Sequence, residues 1–258
     1  MSKIEYKDLL EAGVHFGHLT RKWDPRMAPY IFMERNGIHI IDLNKTIVCL
    51  EDAAEAMRTI VRSGRKIMFV ATKKQAKDIV AEEARRLKMP YVTERWLGGM
   101  LTNFATIRKS LKKLSSIDKL MKDEAYLNLA KRERLMITRE KEKLERILGG
   151  ITDLTRLPAA LFVVDIKREH IAIREAQKLN IPVFGIVDTN SNPEIVDYAI
   201  PGNDDAWKSV QILTQYISNI LEEGLMERKR DKEDAKLKED EDTKREVDEV
   251  EVTEKSAE

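Results

Sequence analysis

Residues 159–188 read AALFVVDIKREHIAIREAQKLNIPVFGIVD, and this stretch decides the fold class. Two continuous apolar runs, 159–165 and 181–188, flank a segment, 168–179, in which apolar residues recur at helical spacing. A strand that is apolar throughout is buried on both faces, which is typical of a parallel sheet covered by helices. The stretch therefore predicts a strand–helix–strand unit of such a sheet.

The same rhythm continues on both sides of this unit. Further strands are predicted at GIHIID (37–42), KIMFVA (66–71), the start of YVTERW (91–96) and, at an edge, Ala199–Ile200. Helices are predicted from Asn44 to about Ser63, after Thr72 as N-cap to about Lys88, and from about Asp204 to about Glu222. The alternation indicates an α/β fold, a Rossmann-like or flavodoxin-like doubly wound parallel sheet.

Residues 105–148 interrupt the rhythm, with no strand pattern and no proline. Apolar residues recur at steps of three and four through Ile107, Leu111, Leu114, Ile117 and Met121, and then through Ile137, Leu144, Ile147 and Leu148. This pattern predicts an inserted antiparallel α-helical coiled-coil hairpin, in which the apolar stripe is the seam between two helices. Gly149–Gly150 is expected to end the second helix.

Three parts follow from this organisation. The α/β domain is predicted to be discontinuous, 1–104 and 149–226, around the hairpin 105–148. Residues 227–258 hold nine Lys or Arg against fourteen Asp or Glu and few large apolar side chains, so they are predicted to be a disordered tail that could extend the last helix for a few turns. With a net charge of +1 over all 258 residues, the rest of the chain is basic, which is compatible with an RNA partner.

Composition excludes several classes of protein. Cys49 is the only cysteine, so a disulfide framework and a cysteine-based zinc site are excluded, and its apolar surroundings predict a buried thiol. The N-terminus lacks the apolar core of a signal peptide, and no apolar run approaches the roughly 20 residues that span a bilayer. A cytoplasmic protein with no membrane partner is expected.

The alternative to an RNA-binding protein is a nucleotide- or Mg-dependent enzyme. Only the predicted fold supports this alternative. The turns after the strands lack GxGxxG and GxxxxGK[ST], so no catalytic residue, cofactor or small-molecule substrate is predicted. The Thr72–Lys74 turn would attract an anion or simply be solvated. Carboxylates at strand ends can hold Mg²⁺, but helix and turn capping is the favoured role, and a metal at His15 and His18 is disfavoured. The weak metal candidates are Asp188, Asp204 and Asp205, with Asp165 at a further strand end.

Evidence for RNA binding is distributed over several basic segments. Residues 18–37 mix cations with Trp23, Tyr30 and Phe32, and arginine or an aromatic ring can stack on exposed bases. In RWLGGMLTNF (95–104) we interpret Gly98 and Gly99 as a structural turn, with Thr102 or Asn103 capping the next helix. The RNA-binding candidates are Arg21, Lys22, Arg26, Arg35, Lys73, Lys74, Arg95, Trp96, Asn103, Arg108, Lys109, Lys112 and Lys113.

Five stretches together resemble one known family. They are AGVHFGHLTRKWDPRMAPYIFMERNGIHIIDLNKT (12–46), FVATKKQA (69–76), ERWLGGMLTNFATI (94–107), DIKREHIAIREAQKLNIPVFGIVDTNSNP (165–193) and IPGNDDA (200–206). In this order they are similar to the second protein of the small ribosomal subunit, bacterial type, over about residues 4–224.

The resemblance implies a Rossmann-like domain with a protruding coiled-coil hairpin and a structural, non-catalytic role in the small ribosomal subunit. It also implies contacts with small-subunit ribosomal RNA and with other small-subunit proteins, including the large OB-fold-repeat protein that captures messenger RNA. The tail beyond about residue 225 lies outside the resemblance.

Overall fold

The structure, a computed structural model, describes residues 4–123, 126 and 128–255, with side chains described to residue 231 and at residue 233. It is a mixed α/β protein with two sheets. The first sheet is antiparallel, in the order β1-β3-β2, with β1 at Phe16–Leu19, β2 at Ile31–Arg35 and β3 at Ile38–Ile41. The sequence predicted only β3 of these, because β1 and β2 are largely exposed and so lack a continuous apolar run. Its assignment of β3 to the strand–helix alternation of the parallel sheet is wrong, because β3 pairs antiparallel with β1 and β2.

The second sheet has five strands, all parallel, and confirms the sheet predicted from the apolar runs. Its spatial order is β5-β4-β6-β7-β8. The chain runs outward in one direction from β4 to β5 and in the other from β6 to β8, so the order reverses between β4 and β6. The strands are β4 (Ile67–Val70), β5 (Tyr91–Val92), β6 (Ala160–Val164), β7 (Val183–Val187) and β8 (Tyr198–Pro201).

The helices connect these strands, and short 3-10 turns at Thr20–Lys22 and Pro25–Tyr30 join β1 to β2. Asp42 is the N-cap of the second helix, since its carboxylate accepts from the Asn44 amide at 3.0 Å. The predicted N-cap at Thr72 is wrong, because the third helix begins at Lys77. The helices are α1 (Tyr6–Glu11), α2 (Leu43–Arg62), α3 (Lys77–Arg86), α4 (Phe104–Leu120), α5 (Lys131–Leu148), α6 (His170–Lys178) and α7 (Trp207–Lys255).

Each face of the parallel sheet has its own core. Phe69, Phe162 and Phe184 point to one face and pack in a cluster with side chains of α2, α3 and α7. Met68 and the other alternating strand residues point to the opposite face, where α6, the loop before α4 and the adjacent ends of α4 and α5 cover them. Met27, in the basic segment between β1 and β2, belongs to this second cluster. The sheet is therefore buried on both sides, as its apolar strands require.

Helices α4 and α5 occupy the segment that interrupts the strand–helix rhythm. The apolar residues predicted for the seam of α4, namely Ile107, Leu111, Leu114 and Ile117, are all buried. Ion pairs join the two helices, with Lys113 bonded to Glu140, and Lys141 Nζ 2.8 Å from Asp118 Oδ1. As expected, α5 ends at Leu148, before the glycine pair.

The last helix, α7, continues to Lys255, well beyond the predicted end near Glu222. Its first turns beyond residue 226 contact α2: Arg58 pairs with Glu227, and Arg62 Nη2 lies 3.2 Å from Asp231 Oδ2. The predicted disorder of 227–258 stays a prediction, and residues 256–258 lie outside the described residues. In α2, Cys49 is half-buried rather than fully buried, and burial raises the pKa of its thiol.

Candidate nucleic-acid interface

Most of the predicted RNA-binding side chains lie on the protein surface. Within the described part of the chain, Arg108, Lys109 and Lys112 have no carboxylate at ion-pair distance, whereas Lys113 pairs with Glu140. Arg26 also forms an ion pair, since its Nε lies 3.2 Å from Glu194 Oε2. The exposed candidates are Arg21, Lys22, Arg26, Arg35, Lys74, Arg95, Asn103, Arg108, Lys109, Lys112 and Lys113.

The two basic segments are anchored on the same face of the parallel sheet. Met27, between Lys22 and Arg35, is fully buried in the same cluster as Ile107 and Leu148, at the base of α4 and α5. A shared core fixes the two segments relative to one another. They can therefore form parts of a single extended basic surface.

Two candidates are buried, so their position has to be revised. Lys73 is 8% exposed and Trp96 is 7% exposed, and both side chains bond to carboxylates of the protein. A buried ammonium or indole that is already bonded cannot reach an RNA backbone without unfolding its surroundings. The sequence missed this because TKK and RWL follow strands and resemble exposed turns.

The glycine-pair loop in RWLGGMLTNF binds an anion, and that anion is a side chain of this protein. Glu175 of α6 places Oε1 2.8 Å from the Gly99 amide and 3.1 Å from Trp96 Nε1. Its Oε2 lies 2.9 Å from the Leu101 amide, 3.0 Å from the Thr102 amide and 3.1 Å from the Thr102 hydroxyl. The carboxylate accepts all five hydrogen bonds. Burial raises the pKa of Glu175, but the amides of Thr102 and Leu101 outweigh it and lower the pKa overall.

The backbone of this loop places a conformational requirement on Gly99, whereas Gly98 has no positive φ and open space around it. Gly99 has φ of +86°, a left-handed conformation that glycine adopts without steric cost. Asn103 is the N-cap of α4, although its side chain makes no capping bond to the backbone. Glu175 lies on the buried face of α6 together with Ala172 and Ala176. A glutamate on the apolar face of a predicted helix is the sequence signal that could have identified this buried anion.

A second internal carboxylate lies where the strand order reverses, between β4 and β6. Ligands of open α/β sheets bind in the crevice at this point. Here Glu169 accepts hydrogen bonds from the Thr72 amide, at 3.1 Å, and from the Thr72 hydroxyl, while Arg168 Nε donates to that hydroxyl at 2.9 Å. Burial is the main cause that raises the pKa of Glu169. The anion expected at the Thr72–Lys74 turn is therefore Glu169.

Acidic side chains gather beside this crevice, at the carboxyl edge of the sheet. Lys73 Nζ lies 2.8 Å from Asp204 Oδ1, 2.6 Å from Asp205 Oδ1 and 3.6 Å from Asp165 Oδ2. Burial lowers the pKa of Lys73, but Asp204 and its neighbours raise it overall. Burial, Asp188 and Asp165 together raise the pKa of Asp204 to about 7.

His18 reaches the same acidic group from β1. Its Nδ1 lies 3.0 Å from Asp188 Oδ2, and its Nε2 lies 3.2 Å from Asp205 Oδ2. These contacts, with Asp188 first, raise the pKa of His18. The structure thus brings together the three weak metal candidates of the sequence and adds His18. His15 lies apart, with its ring against Phe16, and burial lowers its pKa.

An apolar patch is also exposed, on and beside the antiparallel sheet. Phe32 is 70% exposed, and Tyr6, Leu10, Phe16 and Met33 are each exposed by at least 45%. These side chains line one pocket together with Arg35. Among the described helices, none is long and apolar enough to cross a membrane. A contiguous apolar patch of this kind marks an interaction surface.

Comparison with known proteins gives one consistent family. The family model described as Ribosomal protein S2 matches residues 9–224. "Small ribosomal subunit protein uS2" of Cytophaga hutchinsonii is 72% identical over 250 residues, covering 97% of this chain and 98% of the relative. The proteins of the same name from Parabacteroides distasonis and Flavobacterium psychrophilum are 62% and 65% identical, covering 93% and 90% of this chain and 86% and 87% of the relatives. The alignment of 250 residues extends into the tail, beyond the segment that the sequence motifs covered.

Proposed function

The chain belongs to the ribosomal protein S2 family, and we propose that it binds small-subunit ribosomal RNA through its exposed basic surface. It is a structural, non-enzymatic protein of the small ribosomal subunit. The observation that carries the RNA proposal is the row of exposed cations at the start of α4, three of which have no ion-pair partner within the described residues. Unpaired cations on one helix are suited to the phosphate backbone of RNA.

In this proposal, helices α4 and α5 form an antiparallel coiled-coil hairpin that projects from the α/β domain, and we call this hairpin the arm. The buried apolar residues of α4 and the two ion pairs to α5 support this arrangement. Arg95 and Asn103, which precede α4, extend the proposed RNA-binding surface to the base of the arm. Arg21, Lys22 and Arg35 extend it on the other side, because Met27 fixes their segment to the same core cluster.

The apolar patch around Phe32 is suited to a protein partner rather than to RNA. Most of the side chains that line its pocket are aliphatic or aromatic, and Arg35 is the one lysine or arginine among them. We assign to this patch the docking of a neighbouring small-subunit protein, and the large OB-fold-repeat protein is the partner that the family resemblance implies. Phe32→Ser should weaken that docking without changing the salt dependence of subunit binding. If docking is unchanged and the protein remains folded, the patch has another role.

Salt dependence tests the RNA surface. Replacing Arg108, Lys109, Lys112 and Lys113 with glutamine should weaken binding to small subunits depleted of this protein. It should also flatten the slope of log affinity against log salt by roughly two to four units, since each phosphate contact releases close to one counterion. The measurement is a subunit-binding titration at several salt concentrations.

A matched control variant is available at the opposite, amino edge of the sheet. Arg65, Lys66, Lys88 and Lys178 are also one arginine and three lysines, and all are exposed. Their replacement by glutamine changes net charge equally, and the parent slope should be retained. If the α4 variant keeps the parent slope while circular dichroism shows it helical, α4 is not an RNA-contacting surface. The contact would then move to Arg21, Lys22 and Arg35.

A further inference from the structure

Four potential metal ligands from three separate parts of the chain converge at the carboxyl edge of the parallel sheet. His18 comes from β1, Asp188 follows β7, and Asp204 and Asp205 lie in the turn between β8 and α7. One ligand-capable atom from each of the four residues lies within 4.8 Å of all the others. One ion would bind all four donors after the side chains move inward, because Zn²⁺ holds its nitrogen and oxygen ligands at about 2.0–2.2 Å.

The interior of this cluster contains carboxylate oxygens that lack a donor. Asp188 and Asp204 are each 1% exposed. In the described part of the chain, Asp204 Oδ2 is buried and has no hydrogen-bond partner. Asp188 Oδ2 lies 3.0 Å from His18 Nδ1, but no hydrogen bond with adequate geometry reaches it. Buried carboxylate oxygens without donors are costly and rare, so they indicate a missing positive partner.

The charges of the group also favour a bound cation. Three carboxylates, those of Asp165, Asp204 and Asp205, contact the ammonium of Lys73, and the carboxylate of Asp188 interacts with that of Asp204. Lys73 contacts Oδ1 of Asp204 and Oδ1 of Asp205, which leaves Asp204 Oδ2 for another partner, while Asp205 Oδ2 faces His18 Nε2 at 3.2 Å. With His18 neutral, three negative charges remain uncompensated. A divalent cation would reduce the excess to one.

We propose that His18, Asp188, Asp204 and Asp205 bind one divalent transition-metal ion, with Zn²⁺ the best fit. Zn²⁺ takes four ligands from imidazole nitrogen and carboxylate oxygen, which is the donor set present here. Mg²⁺ prefers oxygen ligands and keeps several waters, and two carboxylates that are 1% exposed leave little access for them.

The role of this ion is structural. It would join β1 of the antiparallel sheet to the turns after β7 and β8 of the parallel sheet, which are more than 160 residues away along the chain. Because the ligands come together only in the folded protein, the binding free energy would contribute directly to folding. The ion would hold in place the antiparallel sheet, which contains Arg35, and the turn after β1, which contains Arg21 and Lys22. The proposal does not depend on RNA binding.

The test is the metal content of the full chain, purified without chelator and without a histidine tag. After dialysis into metal-free buffer, equilibrium dialysis against ZnCl₂, MnCl₂ and MgCl₂ is followed by elemental analysis. We expect about one zinc per chain, with tighter binding than for the other two ions. The double variant His18→Gln, Asp188→Asn should bind zinc roughly 100-fold more weakly or worse, since loss of even a supporting residue costs 10–100-fold.

The control variant carries the same two substitutions at exposed positions, His170→Gln and Asp153→Asn. It should bind zinc as the parent does. If the cluster variant retains zinc like the control, the site is elsewhere and the proposal is overturned. If the parent binds no metal, or binds Mg²⁺ in preference, the transition-metal assignment is overturned. Protonation of Asp204 and His18 would then account for the charges.

A second measurement covers the case in which the cluster variant does not fold. Co²⁺ added to the metal-free parent should give visible absorption bands typical of four-coordinate cobalt, and one equivalent of Zn²⁺ should remove them. Zn²⁺ should also raise the melting temperature of the metal-free parent, and a chelator should reverse the increase. Absence of both the cobalt bands and the thermal shift would overturn the proposal without reference to any variant.

Discussion

Replacing Glu175 with glutamine should destabilise the protein by more than most single substitutions, although shape and size are conserved. The carboxylate accepts from Gly99 and Trp96 through Oε1, and from Leu101 and Thr102 through Oε2. A glutamine side chain has one oxygen and one NH₂ group. In either orientation of the amide, the NH₂ group faces two N–H donors that were previously bonded.

The magnitude follows from these two donors. A buried donor left without an acceptor costs about 1–3 kcal/mol, so two of them predict a loss of roughly 2–6 kcal/mol in the free energy of unfolding at neutral pH. Urea denaturation, followed by tryptophan fluorescence and by circular dichroism, measures this loss. Glu82→Gln on the exposed face of α3 is the control and should change the free energy by about 0.5 kcal/mol or less.

The pH dependence gives an independent check. The amides lower the pKa of Glu175 in the folded protein below the unfolded value of about 4.3. Its charged form therefore contributes stability that is fully present above that unfolded value and is lost as pH falls through the folded pKa. The difference between parent and Glu175→Gln should be constant near neutrality and should narrow in acid. A variant as stable as the Glu82→Gln control would refute the interpretation of the loop as a carboxylate-filled anion site.

Two further predictions concern the base of the arm and the tail. In Gly150→Ala the new Cβ would lie 2.2 Å from the carbonyl oxygen of Tyr91, so thermal denaturation should show a loss of about 1–3 kcal/mol. Gly98→Ala, with no neighbour within 4 Å, should be close to neutral, and equal losses would contradict this explanation. Deletion of residues 227–258 should leave the sheet folded and incorporation into subunits intact, because ion pairs at the surface contribute only about 0–1 kcal/mol each. A melting temperature lower by several degrees would mean that the tail is packed.

The sequence predicted the strands that are buried on both sides and missed the two that are largely exposed, β1 and β2. The apolar runs that become β4, β6 and β7 are buried at every position, so their pattern depends little on context. Strands β1 and β2 form in the structure through pairing with β3, and their exposed residues carry no alternation that a sequence pattern could detect. Pairing over a distance in the chain is a tertiary effect, which local propensity does not contain.

The sequence predicted the exposure of the α4 candidates correctly and the exposure of Lys73 and Trp96 wrongly, while RNA contact by any of the candidates stays a prediction. The cations of α4 are exposed, as their position on the polar face of an amphipathic helix predicts. Lys73 and Trp96 were interpreted as surface residues because nothing local to them indicates their partners. Those partners are Asp204 and Glu175, which are 131 and 79 residues away in the chain.

The internal partners also explain how an architecture suited to nucleotides can serve a structural protein. A ligand of a doubly wound sheet needs free donors at the carboxyl edge, above all where the strand order reverses. Here Glu169 occupies the donors of Thr72 at that reversal, and Glu175 occupies the donors of the glycine-pair loop. Both carboxylates come from α6 or the turn that precedes it, so a single segment fills both anion sites from within the fold. With these donors occupied, a ligand has to be recognised by side chains that project outward from the fold, and in the proposed RNA interface those are the exposed cations of α4.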